Sequence, residues 1–404
     1  MESNAVGCTD DCFPPTAPET RRFVRFDRLR RDAPAVVLIA TMVLGLAMTP
    51  IASIVRDING QAQVASQQRL TARFDEALET QHPWRTPALR AIALLRLQLF
   101  RQGNGAVVVG REGWLYTEEE LRWGERDAQL LNTRLQWIAQ AVRSAGNDTR
   151  VVVLLLPSKA RVYPEALPRT VRALAEHPRY EYTLQTLRAG GVAVVDGRDA
   201  LTAKTFFRRD THWRPKGAVA AARAVGQTVD ATFSPAFVDT LSTDDYALRW
   251  APRLDHVGDL LTFVPVGPFA ADVGFGAESY RTFQVESAAA GSLGLFDAPD
   301  IPVALVGTSY SADPRWGFED ALRVALSADV LNVAEQGRGP FVPMASYLDS
   351  DTIRDIPPQL VVWEIPERYL TLPEVELPSL PAGRYHSVPD TARTFGTTTA
   401  NRKL

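Results

Sequence analysis

The sequence predicts an α/β protein, a three-layer α/β/α domain with a mostly parallel sheet, preceded by one N-terminal transmembrane helix. Unbroken apolar runs of strand length, "RVVVLLLP" at 150–157 and "QLVVWEIP" at 359–366, have the composition of strands buried on both faces. These runs alternate with segments of helical periodicity, the order that lays strands side by side in parallel with helices on either face. Far upstream, "APAVVLIATMVLGLAMTPIASIV" at 33–55 carries no charge and is long enough to cross a bilayer as a helix.

Taken in order, residues 1–32 read as a cytoplasmic tail. Arg21, Arg22, Arg25, Arg28, Arg30 and Arg31 crowd this side of the apolar segment, against Arg56, Arg69 and Arg73 beyond it. The positive-inside rule then sends everything after residue 56 out of the cytoplasm, the periplasm in a bacterium. The 33–55 segment is expected to stay as a bilayer anchor, because it starts late and lacks a small-residue cleavage site. Both cysteines, Cys8 and Cys12, lie in the tail, so the outer part needs no disulfide. Residues 56–104 read as a helical stalk.

The alternating pattern starts at "AVVVGREGWLY", 106–116, a strand turning at glycine. A helix is expected over 130–146, a strand at 150–157, a helix at 179–189 and the strand "GVAVVD" at 191–196. Pro215 opens a further helix. Residues 235–300 read as an insertion at one edge, with β-like pieces "LLTFVPV" and "SYRTFQV". The pattern resumes with a strand in 301–309, a helix through 317–326, and strands at 329–334 and 359–366. From 371 to 404 the chain is rich in Pro, Thr and Arg and reads as a loose tail.

Composition narrows the function. The net charge of −3 gives no reason to expect a nucleic-acid partner. Walker A, dinucleotide-fingerprint, HExxH and paired CxxC sequences are absent, so no metal or diffusible cofactor is expected. Two features carry chemistry. Asp210 and His212 stand two apart in "DTHWRPKGA", a base with an orienting carboxylate. "VALVGTSYS" presents Ser309 on a turn after a buried strand, where backbone N–H groups can hold an oxyanion. Combined, Ser309 is the nucleophile, His212 its general base and Asp210 the group fixing the imidazole tautomer. The other histidines, His82, His177, His256 and His386, have no neighbouring motif and are assigned no role. Glu364 and Arg368 are expected to form an internal ion pair.

Seven ordered stretches then add a resemblance: "GREGWLY", "LLLPSKARVYP", "DTHWRPKGA", "VGTSYS", "WGFEDAL", "GRGPFVPMASYL" and "WEIPERYL". Over roughly 105–370 the chain resembles the alginate O-acetyltransferase family of AlgJ and AlgX, with its SGNH-hydrolase-like domain, and is nearer AlgJ. The resemblance implies Asp210 and His212 as the dyad and Ser309 as the acyl-accepting serine. Gly307, Tyr310, Lys159, Trp316, Gly337, Arg338 and Gly339 are candidates for oxyanion or substrate contacts. It implies a polysaccharide acceptor, a membrane-bound O-acyltransferase that supplies acetyl groups, and other polysaccharide synthesis and secretion subunits. The expected activity is O-acetylation of an exopolysaccharide. An acetyl esterase with the same triad, and a non-catalytic polysaccharide-binding scaffold, stand as alternatives.

Overall fold

The computed structural model describes residues 107–146, 148–264, 270–288 and 301–381, with single helical positions at 43, 89, 91 and 92. Nearly all belong to the second of two compact units, Ile92–Leu404. The tail at 1–32, the anchor at 33–55 and the stalk at 56–104 lie outside the described residues, apart from those single positions. Among the described residues no helix is long and apolar enough to cross a membrane.

Five parallel strands form the central sheet. β1 (Val107–Val109) and β2 (Leu115–Thr117) make a small antiparallel hairpin apart from it. β3 (Arg150–Leu156), β4 (Ala193–Asp196), β7 (Val303–Val306), β8 (Val330–Asn332) and β9 (Leu360–Pro366) line up in the order β4-β3-β9-β7-β8. The strand last in sequence, β9, therefore pairs with both β3 and β7 at the centre. Its side chains alternate between two layers. Leu360 and Val362, with Val152, Leu154, Val303 and Leu305, pack in one buried cluster with α3 (Pro215–Thr232) and α5 (Phe318–Leu326). Val361 and Trp363, with Val151, Val153 and Leu155, pack on the other face with α1 (Glu125–Ser144), α2 (Arg179–Ala189) and α6 (Phe341–Asp349). Each such aliphatic side chain, fully buried, contributes about 1.5–3 kcal/mol. This two-sided burial is why the strands read as continuous apolar runs.

Two segments depart from the sequence expectation. The stretch 235–300 contains a long antiparallel hairpin, β5 (Tyr246–His256) with β6 (Glu278–Ser287), as "SYRTFQV" suggested. The described part of "LLTFVPV" is not a strand: residues Asp259–Phe263 form a 3-10 turn. Leu260 and Val264, four apart, are its buried apolar residues and join Val107, Val109, Leu115 and Phe275 in a small cluster. The chain after 371 does not trail loosely at once. Val375, Leu377 and Leu380 pack against the second layer, Arg134 of α1 donates to the carbonyls of Tyr369 and Val375, and Trp137 Nε1 donates to Pro378 O at 2.7 Å.

Candidate active site

The carboxyl ends of β3, β7 and β9 supply the floor of the site. After β7, Thr308 caps a four-residue helix, α4 (Ser309–Ala312), its hydroxyl accepting from Tyr310 N–H. Ser309 is thereby left partly exposed at the helix start. Gly307 must be glycine, because a Cβ there would lie 2.6 Å from Glu364 Oε2 and 2.9 Å from Ser311 Oγ.

Opposite Ser309 stands the 205–214 loop. A bridge between Phe206 and Trp213 pinches its ends, and Arg214 N–H donates to Thr205 O at 2.7 Å. At its tip the His212 N–H donates to Asp210 Oδ1 at 2.9 Å. That is an Asx turn, and it explains the two-residue spacing: the carboxylate that closes the turn also faces the imidazole of the residue two further on. His212 Nδ1 lies 2.7 Å from Asp210 Oδ1, and His212 Nε2 lies 2.8 Å from Ser309 Oγ. With Asp210 ionised, Nδ1 carries the proton and Nε2 is left to accept from the serine hydroxyl. Burial works to raise the Asp210 pKa, but bonds from His212 and His256 and the nearby His212 charge hold it far below the ordinary carboxylate range.

Sequence reasoning assigned His256 no role, and the structure corrects this. His256 Nε2 donates to Asp210 Oδ2 at 2.7 Å, and Asp259 N–H donates to the same oxygen at 3.0 Å. Both residues come from the 235–300 segment, so it is not a detached edge. Its 256–260 corner lies directly on the loop: Leu260 N–H donates to Arg209 O, and a Cβ on Gly258 would fall 2.0 Å from that carbonyl. Glu278 of β6 accepts from the N–H groups of Arg208 and Arg209 and pairs with Arg214 at 2.6 Å. No local motif marks these residues; only their approach to the loop from 46 or more positions away does.

The remaining candidates are distributed around this chain of bonds. Lys159, after β3, is buried and donates Nζ to Asp210 O at 2.7 Å and to Arg208 O at 3.3 Å, bracing the loop from beneath. Tyr310 OH donates to Thr211 O, and its ring centre is 5.1 Å from that of His212. Trp316 is fully buried and stacks on His212, centroids 5.5 Å apart at 26°. Gly337 and Gly339 take positive φ in a turn where exposed Arg338 pairs with Glu335 at 3.2 Å. Glu335 N–H reaches Gly307 O, but among the described contacts none joins 337–339 to Asp210, His212 or Ser309. Asp210, His212 and Asp259 offer three ligand atoms within 4.8 Å of one another. Those groups also bond each other and Thr211.

Glu364 in β9 was expected to pair with Arg368. Among the described residues no direct bond joins them. Arg368 instead donates to Tyr369 OH, and Glu364 accepts from Thr308 N–H at 2.8 Å, from the Thr308 hydroxyl and from Ser311 Oγ. Complete burial pushes the Glu364 pKa up from 4.5 to about 7, against the lowering effect of those donors and of the Arg368 charge. Because the folded pKa is the higher one, this group's contribution to stability is greatest below the unfolded value and is lost as pH rises toward 7. We expect unfolding free energy to fall between pH 5 and 8 by a component on the order of 3 kcal/mol. Glu364→Gln should flatten that component in urea titrations at the two pH values; an unchanged slope would assign it to other groups.

The chain is also similar to known proteins over most of its length. A family model described as "SGNH hydrolase-like domain, acetyltransferase AlgX" matches residues 107–367. The protein named probable alginate O-acetylase AlgJ from Azotobacter vinelandii is 35% identical over 314 residues, covering 75% of this chain and 80% of that one. Alginate biosynthesis protein AlgX from Pseudomonas putida is 28% identical over 286 residues, covering 67% of this chain and 58% of its own. The solved O-acetyltransferase domain of Pseudomonas putida AlgJ aligns with a TM-score of 0.58 at 31% identity, over 67% of this chain and 94% of that domain. As expected, identity is higher to this AlgJ than to this AlgX.

Proposed function

We propose that this chain, which belongs to the SGNH hydrolase-like acetyltransferase family of AlgX and AlgJ and is an O-acetyltransferase, acetylates hydroxyls of a secreted polysaccharide through an acetyl-Ser309 intermediate. The observation that carries the reading is the continuous line of bonds from Asp210 through His212 to Ser309 Oγ. In the first half-reaction Ser309 Oγ attacks the acetyl carbonyl and its proton passes to His212 Nε2. The donor's oxygen leaves with that proton as the tetrahedral intermediate collapses. In the second half-reaction the sugar hydroxyl gives its proton to His212 and attacks acetyl-Ser309, and the proton returns to Ser309 on release of the ester. Asp210 stays ionised throughout and stabilises the imidazolium. The Ser309 N–H enters none of the described bonds of its turn and is our assigned oxyanion donor; Thr308 N–H is held by Glu364.

Alginate is the acceptor favoured by the names of the relatives, and other alginate-synthesis subunits are the expected company. The 33–55 segment would anchor the chain in the inner membrane with the domain in the periplasm. There a membrane-bound O-acyltransferase would supply the acetyl group.

The test is intact mass of the full-length chain after exposure to p-nitrophenyl acetate, with and without acetyl-free alginate oligosaccharide. The expected result is one added acetyl group on the Ser309 peptide, discharged by the oligosaccharide into an O-acetylated product. Discharge into water at the same rate with or without sugar would make the protein an esterase. An acetyl on any other residue would remove Ser309 from the reaction.

A further inference from the structure

We infer that His256 is a positioning residue for acetyl transfer: it holds the second oxygen of Asp210, so that one carboxylate is clamped between two imidazoles. The inference rests on the reading of His212 as the base for Ser309. An ionised carboxylate has about four acceptor positions, and Asp210 fills them in two pairs. Oδ1 receives His212 Nδ1 and the His212 N–H; Oδ2 receives His256 Nε2 and the Asp259 N–H. The second pair comes entirely from the 256–259 corner, where β5 ends. Removing it would leave the Asp210 carboxylate bonded only by the residue it is meant to orient.

The surroundings of His256 fit a fixed donor rather than a free surface side chain. Its side chain is 11% exposed, against 2% for Asp210. The Phe207, Trp316 and Tyr280 rings surround it at 4.8, 5.3 and 6.0 Å between centroids. Trp316 also stacks on His212, so one buried indole sets the position of both imidazoles. Among the described bonds of His256, Asp210 is its only charged partner; the Asp259 carboxylate is engaged by Thr211 and lies 3.7 Å from His212 Nδ1.

One consequence separates this role from simple packing. Without the His256 donor the carboxylate is less well held, which lowers the fraction of His212 aimed at Ser309 and so lowers kcat rather than substrate binding. His256→Phe keeps a ring in the aromatic cage and removes the donor. His256→Gln restores an N–H close to the position of Nε2, whereas His256→Asn is too short to reach Asp210.

The experiment is acetyl transfer from p-nitrophenyl acetate to acetyl-free alginate oligosaccharide by the purified full-length chain, with rates normalised to folded protein by circular dichroism. In the Phe variant kcat should fall about tenfold, the scale of one hydrogen bond to a charged group, with KM little changed. Gln should recover kcat. If the Phe variant does not fold, the Asn and Gln variants make the same comparison. Wild-type kcat in the Phe or Asn variant would overturn the inference, as would a raised KM at unchanged kcat, or Gln behaving like Asn. Ser309→Ala runs alongside: turnover surviving in that variant would sink the premise about Ser309 and His212, a failure distinct from that of His256.

Discussion

Ser309→Ala is expected to abolish acetyl-enzyme formation and to lower acetyl transfer at least about a thousandfold, while leaving the fold intact. The two halves of that expectation rest on different observations. Ser309 Oγ is the atom that His212 Nε2 faces at 2.8 Å, and the side chain is partly exposed. Its own hydroxyl takes no part in capping α4, a task done by Thr308. Removing it costs one hydrogen bond at the protein surface, no more than about 1 kcal/mol of stability. The neighbouring hydroxyls behave differently. Thr308 and Ser311 are buried and bond Glu364, so their loss should disturb the turn itself. Transfer rate and urea denaturation measured on the same preparations distinguish the cases. A Ser309→Ala protein that still carried acetyl to a sugar would show that the donor and acceptor meet without a covalent intermediate on this serine.

The parts of the molecule legible in its sequence are those whose determinants are local. Strands buried on both faces are apolar at nearly every position, so β3 and β9 stand out as runs. The helix over 179–189 was bounded correctly because Pro178 precedes it and Gly190 follows. The Asp210–His212 spacing was informative because an Asx turn is itself a local structure. Helix α6 is absent from the elements the sequence predicts: it has Pro340 before it and Pro343 within it. A proline in the first helical turn loses no needed N–H, and so the helix forms. His256, Asp259, Glu278 and Glu364 were illegible as site residues for one shared reason. Each acts through a bond to a residue dozens of positions away, and nothing in its own neighbourhood differs from an ordinary loop or strand. Spacing reveals a motif's own residues; the groups that hold the motif are found only when the chain is folded.

Asp210→Asn should cost about three to four orders of magnitude in acetyl transfer, more than a lost charge alone explains. An asparagine has one acceptor oxygen and one donor NH2, whereas Asp210 faces donors on both sides. If the NH2 turns toward His212, the imidazole must put its proton on Nε2, where it points at Ser309 and cannot accept a proton. With the NH2 turned toward His256, that ring can change tautomer, but the Asp259 N–H still confronts the NH2. The oxygen left to His212 then carries no charge to stabilise an imidazolium. Both orientations fail, each for its own reason, and the two-histidine arrangement offers no third. Single-turnover acylation by p-nitrophenyl acetate, followed by mass, would measure the loss directly. The expected outcome is a folded protein that acquires its acetyl group on Ser309 thousands of times more slowly. Acylation within about tenfold of wild type would instead mean that His212 is oriented by Trp316 stacking and the Asx-turn backbone, with the carboxylate dispensable.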